Sequence, residues 1–246
     1  MAGAQILVFT VSTLLIHSLV IAQPGLPDTL HVKAATDHAK DIYYQSGKDH
    51  SNLYNGKEYI AFKKNMPEVG TLFFHSDDWE EGSVFYDGEL YEKVSMRFDL
   101  LREKIVIEHK GQGEIELISE KIKYVRIAGH TFLESSNNNE TKSLSSGFYD
   151  LIYDGTTKVF VRRLKVAEER IETQVSMILT FKEKNTIHIL KNDKYYVVGN
   201  KSSALKIFGD QKSALKKFMS KNNIRYRANR EDALIRMAGQ YDQLTH

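Results

Sequence analysis

The chain has 246 residues, of which 41% are hydrophobic and 27% are charged, with only 3 prolines and no cysteine. This composition is typical of one folded domain, or two small ones, with an adequate core. It excludes a disordered chain, a collagen-like repeat and a disulfide scaffold. The 34 basic and 32 acidic residues give a net charge of +2, which is too small to indicate nucleic acid as the partner.

An uncharged apolar run extends from Ile6 to Ala22. It is short for a transmembrane helix, which needs about 20 predominantly apolar residues, and it ends in short side chains that suit a cleavage site after Ala22. We therefore expect residues 1–22 to be the signal peptide of an exported protein, periplasmic or secreted. Because no Lys or Arg precedes the run, an N-terminal membrane anchor stays open as the alternative. A lipid anchor is excluded, since there is no cysteine to carry it.

Residues 23–50 are polar and are expected to form an N-terminal arm. From 51 to 200 the pattern changes to short segments that are rich in β-branched and aromatic residues and recur at intervals of roughly ten, as in an antiparallel β meander. An open curved sheet and a partial barrel both satisfy this pattern. The predicted strands are residues 83–86, 94–98, 104–107, 115–118, 124–127, 148–153, 158–161, 186–190 and 194–198.

Three turns repeat a tyrosine followed by Asn-Gly or Asp-Gly. These dipeptides supply the positive φ angles that a two-residue hairpin turn needs. We therefore predict three hairpins, and we assign the turn residues to backbone conformation rather than to catalysis. A fourth hairpin is predicted at Asn192-Asp193. The structural turn residues are Asn55, Gly56, Asp87, Gly88, Asp154 and Gly155.

Residues 201–246 show a helical period instead. Asp210 is predicted to N-cap one helix and Asn229 a second, each with apolar side chains along one face. Amphipathic helices must pack on something, and the nearest apolar surface is the sheet. The sequence therefore predicts an α+β fold that is mainly β, with an antiparallel meander first and two C-terminal helices packed on it.

The near-neutral charge is an average of two unlike segments. Between Glu68 and Glu120 there are 14 acidic and 5 basic residues, whereas residues 191–246 hold 12 basic and 5 acidic ones. One interpretation is that the basic helices dock near the acidic sheet or present solvated faces. The other is a patch for an anionic partner, either an anionic surface or an envelope protein. The candidate patch consists of Lys212, Lys216, Lys217, Lys221, Arg225, Arg227 and Arg230.

The patterns of common catalytic sites are missing from the sequence. There is no Gly-x-Ser-x-Gly elbow and no cysteine nucleophile, and neither of the common glycine-rich phosphate loops occurs. The densest group of metal-ligand types is His75 with Asp77 and Asp78, but no two histidines have the spacing of a helical metal motif. We therefore predict no catalytic, cofactor-binding or metal-binding residues, and no nucleic-acid partner for an exported chain.

Three stretches resemble uncharacterised exported proteins of Bacteroidota: Trp79–Asp99, Gly147–Gly155 and Asn229–Leu244. The resemblance spans most of the chain after residue 22. It implies a signal peptide, a β-rich body and C-terminal helices in a cell-envelope setting. It implies no agreed activity and no catalytic residues.

Together these observations predict an exported, non-enzymatic envelope protein that binds a protein partner or a ligand. Two alternatives stay open. A curved sheet capped by helices could carry a hydrophobic molecule in an apolar groove. The many carboxylates of the sheet could instead include the facing pair of a polysaccharide hydrolase, one of them with a raised pKa.

Overall fold

The structure is a computed structural model. It describes residues 52–62, 65–136, 138–139, 141, 143–173 and 176–245. At residues 172, 173 and 176 it describes only the backbone. All of them belong to one unit, Asp49–His246. The predicted signal peptide (1–22) and the predicted arm (23–50) lie outside the described residues.

Strands make up most of the fold, and three helices follow them. The described strands are β1 (Lys57–Glu58), β2 (Glu68–Val69), β3 (Glu80–Tyr86), β4 (Glu89–Asp99), β5 (Lys104–His109), β6 (Gly113–Glu116), β7 (Ile122–Ile127), β8 (His130–Glu134), β9 (Phe148–Asp154), β10 (Lys158–Arg162), β11 (Lys165–Thr173), β12 (Ser176–Glu183), β13 (Thr186–Lys191) and β14 (Lys194–Val198). The helices are α1 (Lys201–Ile207), α2 (Lys212–Lys221) and α3 (Arg230–Thr245).

Eleven strands form one antiparallel sheet in the order β1-β6-β5-β4-β3-β7-β8-β9-β10-β13-β14. Most neighbours in the sheet are also neighbours in sequence, as in a meander. Strands β11 and β12 leave it and form a second sheet in the order β11-β12-β2, where β2 runs parallel to β12. The large sheet does not close on itself. The predicted class, α+β and mainly β, is confirmed.

The helical part differs from the prediction in two ways. A third helix, α1, is N-capped by Asn200, whose side chain accepts a hydrogen bond from the Ser203 amide while the Ser203 hydroxyl accepts one from the Asn200 amide. Asp210 does not cap α2; it lies in a 3-10 turn, and its carboxylate accepts hydrogen bonds from Lys191 and Tyr241 instead. Asn229 does cap α3, through the Asp232 amide.

Two of the predicted turns have the expected geometry. Asp87 and Gly88 have φ angles of 51° and 89° between β3 and β4, and Asn192 and Asp193 have φ angles of 50° and 57° between β13 and β14. In both cases a two-residue loop joins paired strands. The β7–β8 hairpin turns in the same way at Ala128-Gly129.

The other two predicted turns need glycine for space rather than for a positive φ. Asn55 and Gly56 do not join two paired strands, because β1 pairs with β6. A Cβ on Gly56 would lie 2.4 Å from the Glu116 carbonyl oxygen. Asp154 does end β9, but the loop to β10 has three residues, and a Cβ on Gly155 would lie 2.4 Å from the Asp242 carboxylate.

The helices cover the face of the sheet formed by β9, β10 and β13. Val159, Val161 and Ile189 of the strands are fully buried in one cluster with apolar side chains of all three helices, including Leu205, Leu215 and Leu234. Farther along the sheet, the rings of Phe98, Phe132 and Phe148 meet edge to face at 5.0 and 5.3 Å between centroids. The last part of the chain therefore completes the core of one half of the sheet.

Candidate functional site

Helix α2 places four lysines on the exposed side of the helical layer. Leu215 and Met219 are buried against the core, which turns the polar positions of the helix outward. The lysines on this outward side are all exposed: Lys212, Lys216, Lys217 and Lys221.

The segment after α2 adds two exposed arginines, because buried and exposed residues alternate along it. Ile224 and Tyr226 are buried, whereas Arg225 and Arg227 between and beyond them are exposed. The chain enters this segment through Asn223, whose φ of 53° is the left-handed conformation that commonly ends a helix. We call these six side chains, Lys212, Lys216, Lys217, Lys221, Arg225 and Arg227, the basic surface.

Arg230 was part of the predicted patch, but it does not belong to this surface. It is half-buried at the start of α3, and its guanidinium donates hydrogen bonds to the Val198 carbonyl and to the Tyr226 hydroxyl. A guanidinium that satisfies a strand-end carbonyl has a structural role, because it ties β14 to α3.

Within the part of the chain that the structure describes, no cation of the basic surface forms an ion pair. The acidic residues of the helical region have other partners. Asp210 binds Lys191 at 2.9 Å, Glu231 binds Arg163 at 2.8 Å, and Asp232 lies 3.9 Å from Arg236. The six positive charges are therefore not neutralised by the acids nearest to them in sequence.

The acidic segment, Glu68–Glu120, does not supply the counter-charge among the described contacts either. Helix α3 packs on β9 and β10, and α1 packs on β14, and all three strands lie outside that segment. Acids of that segment instead bind basic groups of the same part of the sheet, as Glu114 binds Arg97 at 2.7 Å and Glu116 binds Lys104 at 3.0 Å.

A lysine–aspartate pair braces the base of the helical layer. Burial lowers the pKa of Lys191, but contacts with Tyr241 and Asp210 outweigh it and raise that pKa. The hydrogen bond from Lys191 and a second one from Tyr241 lower the pKa of Asp210. Both groups are therefore charged at neutral pH and hold the turn before α2 in place.

A second charged cluster is buried where the sheet meets α3. Asp150 on β9 is 1% exposed, and its Oδ2 atom lies 2.7 Å from His130 Nδ1 and 2.7 Å from Arg163 Nε. Arg163 reaches on to Glu231 with two hydrogen bonds of 2.9 and 2.8 Å. This network joins β8, β9 and α3 through four charged or titratable groups that are far apart in sequence.

Among the described residues, no three His, Asp or Glu side chains come together as a metal-binding group. The cluster noted in the sequence is divided among other contacts: His75 Nδ1 lies 2.8 Å from Glu80, Asp77 accepts a hydrogen bond from Thr71, and the Asp78 amide donates to Ser76. In the same part of the chain, no helix combines the length and apolar character needed to cross a bilayer.

The fold and the site thus define a mainly β, α+β protein with six exposed cations on α2 and the segment that follows it. No protein-family model, curated protein or solved structure matches the chain. The resemblance to exported proteins of Bacteroidota therefore stays a prediction.

Proposed function

We propose that this chain is an exported, non-enzymatic protein of the cell envelope, and that its basic surface binds an anionic membrane surface. The observation that carries the proposal is the set of six exposed cations on α2 and residues 222–229 that form no ion pair within the described residues. Export is supported by the sequence of residues 1–22, and the absence of a catalytic pattern supports a binding role.

The strength of such binding can be estimated. A basic residue near an anionic bilayer contributes about 1 kcal/mol, so six of them contribute on the order of 6 kcal/mol, which corresponds to a dissociation constant below 1 mM. This attraction is reversible and sensitive to salt, because the screening length falls from about 10 Å at 0.1 M salt to about 3 Å at 1 M.

The two alternative functions receive less support from the described residues. A carrier of a hydrophobic molecule needs an apolar groove, whereas the inward side chains of the sheet fill their own space: Val84, Tyr86, Met96 and Phe132 are 0% exposed. A polysaccharide hydrolase needs a carboxyl group whose pKa is raised. At Asp210, in contrast, the hydrogen bonds from Lys191 and Tyr241 lower the pKa.

The test is co-sedimentation of the purified protein with phosphatidylglycerol vesicles over a salt series. We expect binding at low salt, release at 1 M salt, and no binding to neutral phosphatidylcholine vesicles. The double variant Lys217→Glu/Lys221→Glu should weaken binding by about tenfold or more. The matched control Lys110→Glu/Lys184→Glu makes the same charge change at exposed lysines outside the basic surface and should keep most of the binding.

Equal losses in the two double variants would mean that net charge alone drives binding, and the proposal for this surface would be wrong. Soluble polyglutamate provides a second probe. Salt-sensitive binding to polyglutamate without binding to the anionic vesicles would identify an acidic protein, not a membrane, as the class of partner.

A further inference from the structure

A groove of about 480 Å³ lies on the sheet, far in sequence from the basic surface. Its walls come from β3, β4, β7, β8 and the turn between β7 and β8. This volume is within the range of small-molecule sites, roughly 300–1,000 Å³. The groove was not indicated by any motif of the sequence.

A β-bulge in β4 brings two charges to the groove. Tyr91 and Val94 are buried, whereas the two residues between them, Glu92 and Lys93, are both exposed and line the groove. The pairing of β3 with β4 shifts at this point, so these two residues lie opposite Ser83. Lys93 has a φ of 54°, a left-handed conformation that costs a residue other than glycine about 1 kcal/mol or more.

The strand register continues this polar row across the sheet. Ser83 is paired with Arg126 on β7, and Arg126 is paired with Thr131 on β8. Directly paired residues point to the same face, and adjacent strands are about 4.8 Å apart. The row therefore crosses four strands, a span of about 14 Å. Glu81, two residues before Ser83, lies on the same face and also lines the groove.

Among the residues that the structure describes, the charges of the groove have no ion-pair partner, unlike other charges of the same sheet. Within the described residues, Glu81, Glu92, Lys93 and Arg126 form no ion pair, whereas elsewhere in the same sheet Arg97 binds Glu114 and Lys104 binds Glu116. Two carboxylates and two cations thus line one open space, and their side chains form no hydrogen bond with another described residue.

An aromatic row borders the polar row. Phe85 and Tyr124 are the next pair on the same face after Ser83 and Arg126, and their ring centroids are 5.7 Å apart. Tyr124 packs beside a cluster that includes its cross-strand partner Leu133, and the Arg126 guanidinium lies 4.9 Å from its ring centroid. Apolar ring surface and polar groups therefore adjoin each other on rigid strands.

From this arrangement we propose that the groove is a saccharide-binding site. Each hydroxyl of a sugar is both a donor and an acceptor of hydrogen bonds, which matches a site with carboxylates, cations, Ser83 and Thr131 together. The CH faces of a sugar ring pack on aromatic side chains, which matches Phe85 and Tyr124 next to the residues that line the groove. A simple anion or a simple cation fits less well, because it would meet two charges of its own sign.

A glycan array provides the first test, with wild type, Arg126→Ala and Arg170→Ala compared. We expect the wild type to bind a group of related glycans and Arg126→Ala to lose binding by about tenfold or more, since a charged hydrogen-bond donor is removed. Arg170 is exposed on β11, outside the groove, and Arg170→Ala should bind as the wild type does. The proposal is overturned if no glycan binds, or if Arg126→Ala binds unchanged.

The second test uses the best glycan of the array, with glycylglycine as the peptide probe, in NMR titrations. We expect amide shifts at residues 81–83, 92–93 and 126–131 with the glycan and none with glycylglycine; the reverse result would make the groove a peptide site. Lys93→Gly removes one charge and relieves the backbone, so it should fold at least as stably as the wild type while binding the glycan more weakly. The Lys217→Glu/Lys221→Glu variant should retain glycan binding, which separates this site from the proposed membrane surface.

Discussion

Asp242, near the end of α3, accepts hydrogen bonds from the backbone amide of Thr157, in the loop between β9 and β10, at 3.1 Å from each carboxylate oxygen. The hydroxyl of Tyr153 donates a third hydrogen bond to the same carboxylate at 3.0 Å. Burial, followed by this hydrogen bond, raises the pKa of Tyr153. The helix is therefore fastened to the hairpin by polar contacts in addition to the apolar core.

Gly155 lies under this contact, and we predict that Gly155→Ala destabilises the protein by about 1–3 kcal/mol through overpacking. The added Cβ would lie 2.4 Å from Asp242 Oδ2 and 2.6 Å from the Tyr153 hydroxyl. Urea unfolding measures the loss. The substitution should cost less in an Asp242→Ala background, and an equal cost there would show that the contact with Asp242 is not the cause.

The situation at Gly88 is the opposite: there is space for a side chain, but the backbone has a conformation that residues with a side chain rarely adopt. Nothing lies within 4 Å of a Cβ at this position, but φ is +89°. We expect Gly88→Val to lower the free energy of unfolding by about 1–2 kcal/mol, because a β-branched residue is strained at positive φ. Gly88→Asn should cost less, since asparagine tolerates this region. Equal urea midpoints for wild type and Gly88→Val would contradict the turn.

Arg163→Met should destabilise the protein by about 3–5 kcal/mol, because it leaves the buried carboxylate of Asp150 without its cation. The neighbouring Arg162 provides a matched control. It binds Glu103 at 2.6 Å, but both side chains of that pair are 21% exposed, so Arg162→Met should cost less. Unfolding of both variants in guanidinium chloride measures the two losses of stability. Similar losses would show that the burial of Asp150 does not account for the effect of Arg163→Met.

His188 predicts a dependence of stability on pH. Burial, and then the charge of Arg162, lower its pKa from the ordinary 6.5. Below pH 6.5 the unfolded chain takes up a proton more readily than the folded one, so the free energy of unfolding falls as the pH falls from 6.5 through the lowered pKa. His188→Gln should flatten this dependence between pH 7.5 and 5.5 in urea titrations. An NMR titration of the His188 ring that gives a pKa of 6.5 or higher would contradict it.

Export makes a prediction about the N-terminus. If residues 1–22 are a cleaved signal peptide, mass spectrometry of the protein from the periplasm or medium should find Gln23 first, as glutamine or in cyclised form. An intact Met1 in the membrane fraction would establish the anchor instead.

Local chemistry made much of the sheet predictable. Asp87-Gly88 and Asn192-Asp193 carry their turn geometry in two residues, so the hairpins around them could be inferred without knowing the rest of the fold. Strand β8 was not predicted, because its turn places Ala128 at a φ of 50°, which alanine does not favour. Strand β11 contains Glu168, Glu169 and Arg170, which are typical of helices.

The candidate sites depend more on contacts between residues that are far apart in sequence. The alternation of Arg225 and Arg227 with buried neighbours is visible only once the segment has docked, although the lysines of α2 could be recognised from their excess charge. Arg230 could not be separated from them, since its contact with Val198 spans 32 positions. The groove depends on the bulge at Lys93 and on the register of four strands, neither of which follows from local propensity. A signal for α1 was present, in the pairing of Asn200 with Ser203.

The hydrogen bonds between Asp242 and the β9–β10 hairpin can form only once α3, the last helix of the chain, is present. Hairpins such as β3–β4 and β13–β14 close over short stretches of chain and can form early. The core around Val159 and Ile189, in contrast, needs side chains up to Tyr241. That half of the sheet therefore keeps an apolar face exposed until α3 docks on it. Before α3 docks, this face is the surface that a chaperone or an aggregation partner would meet.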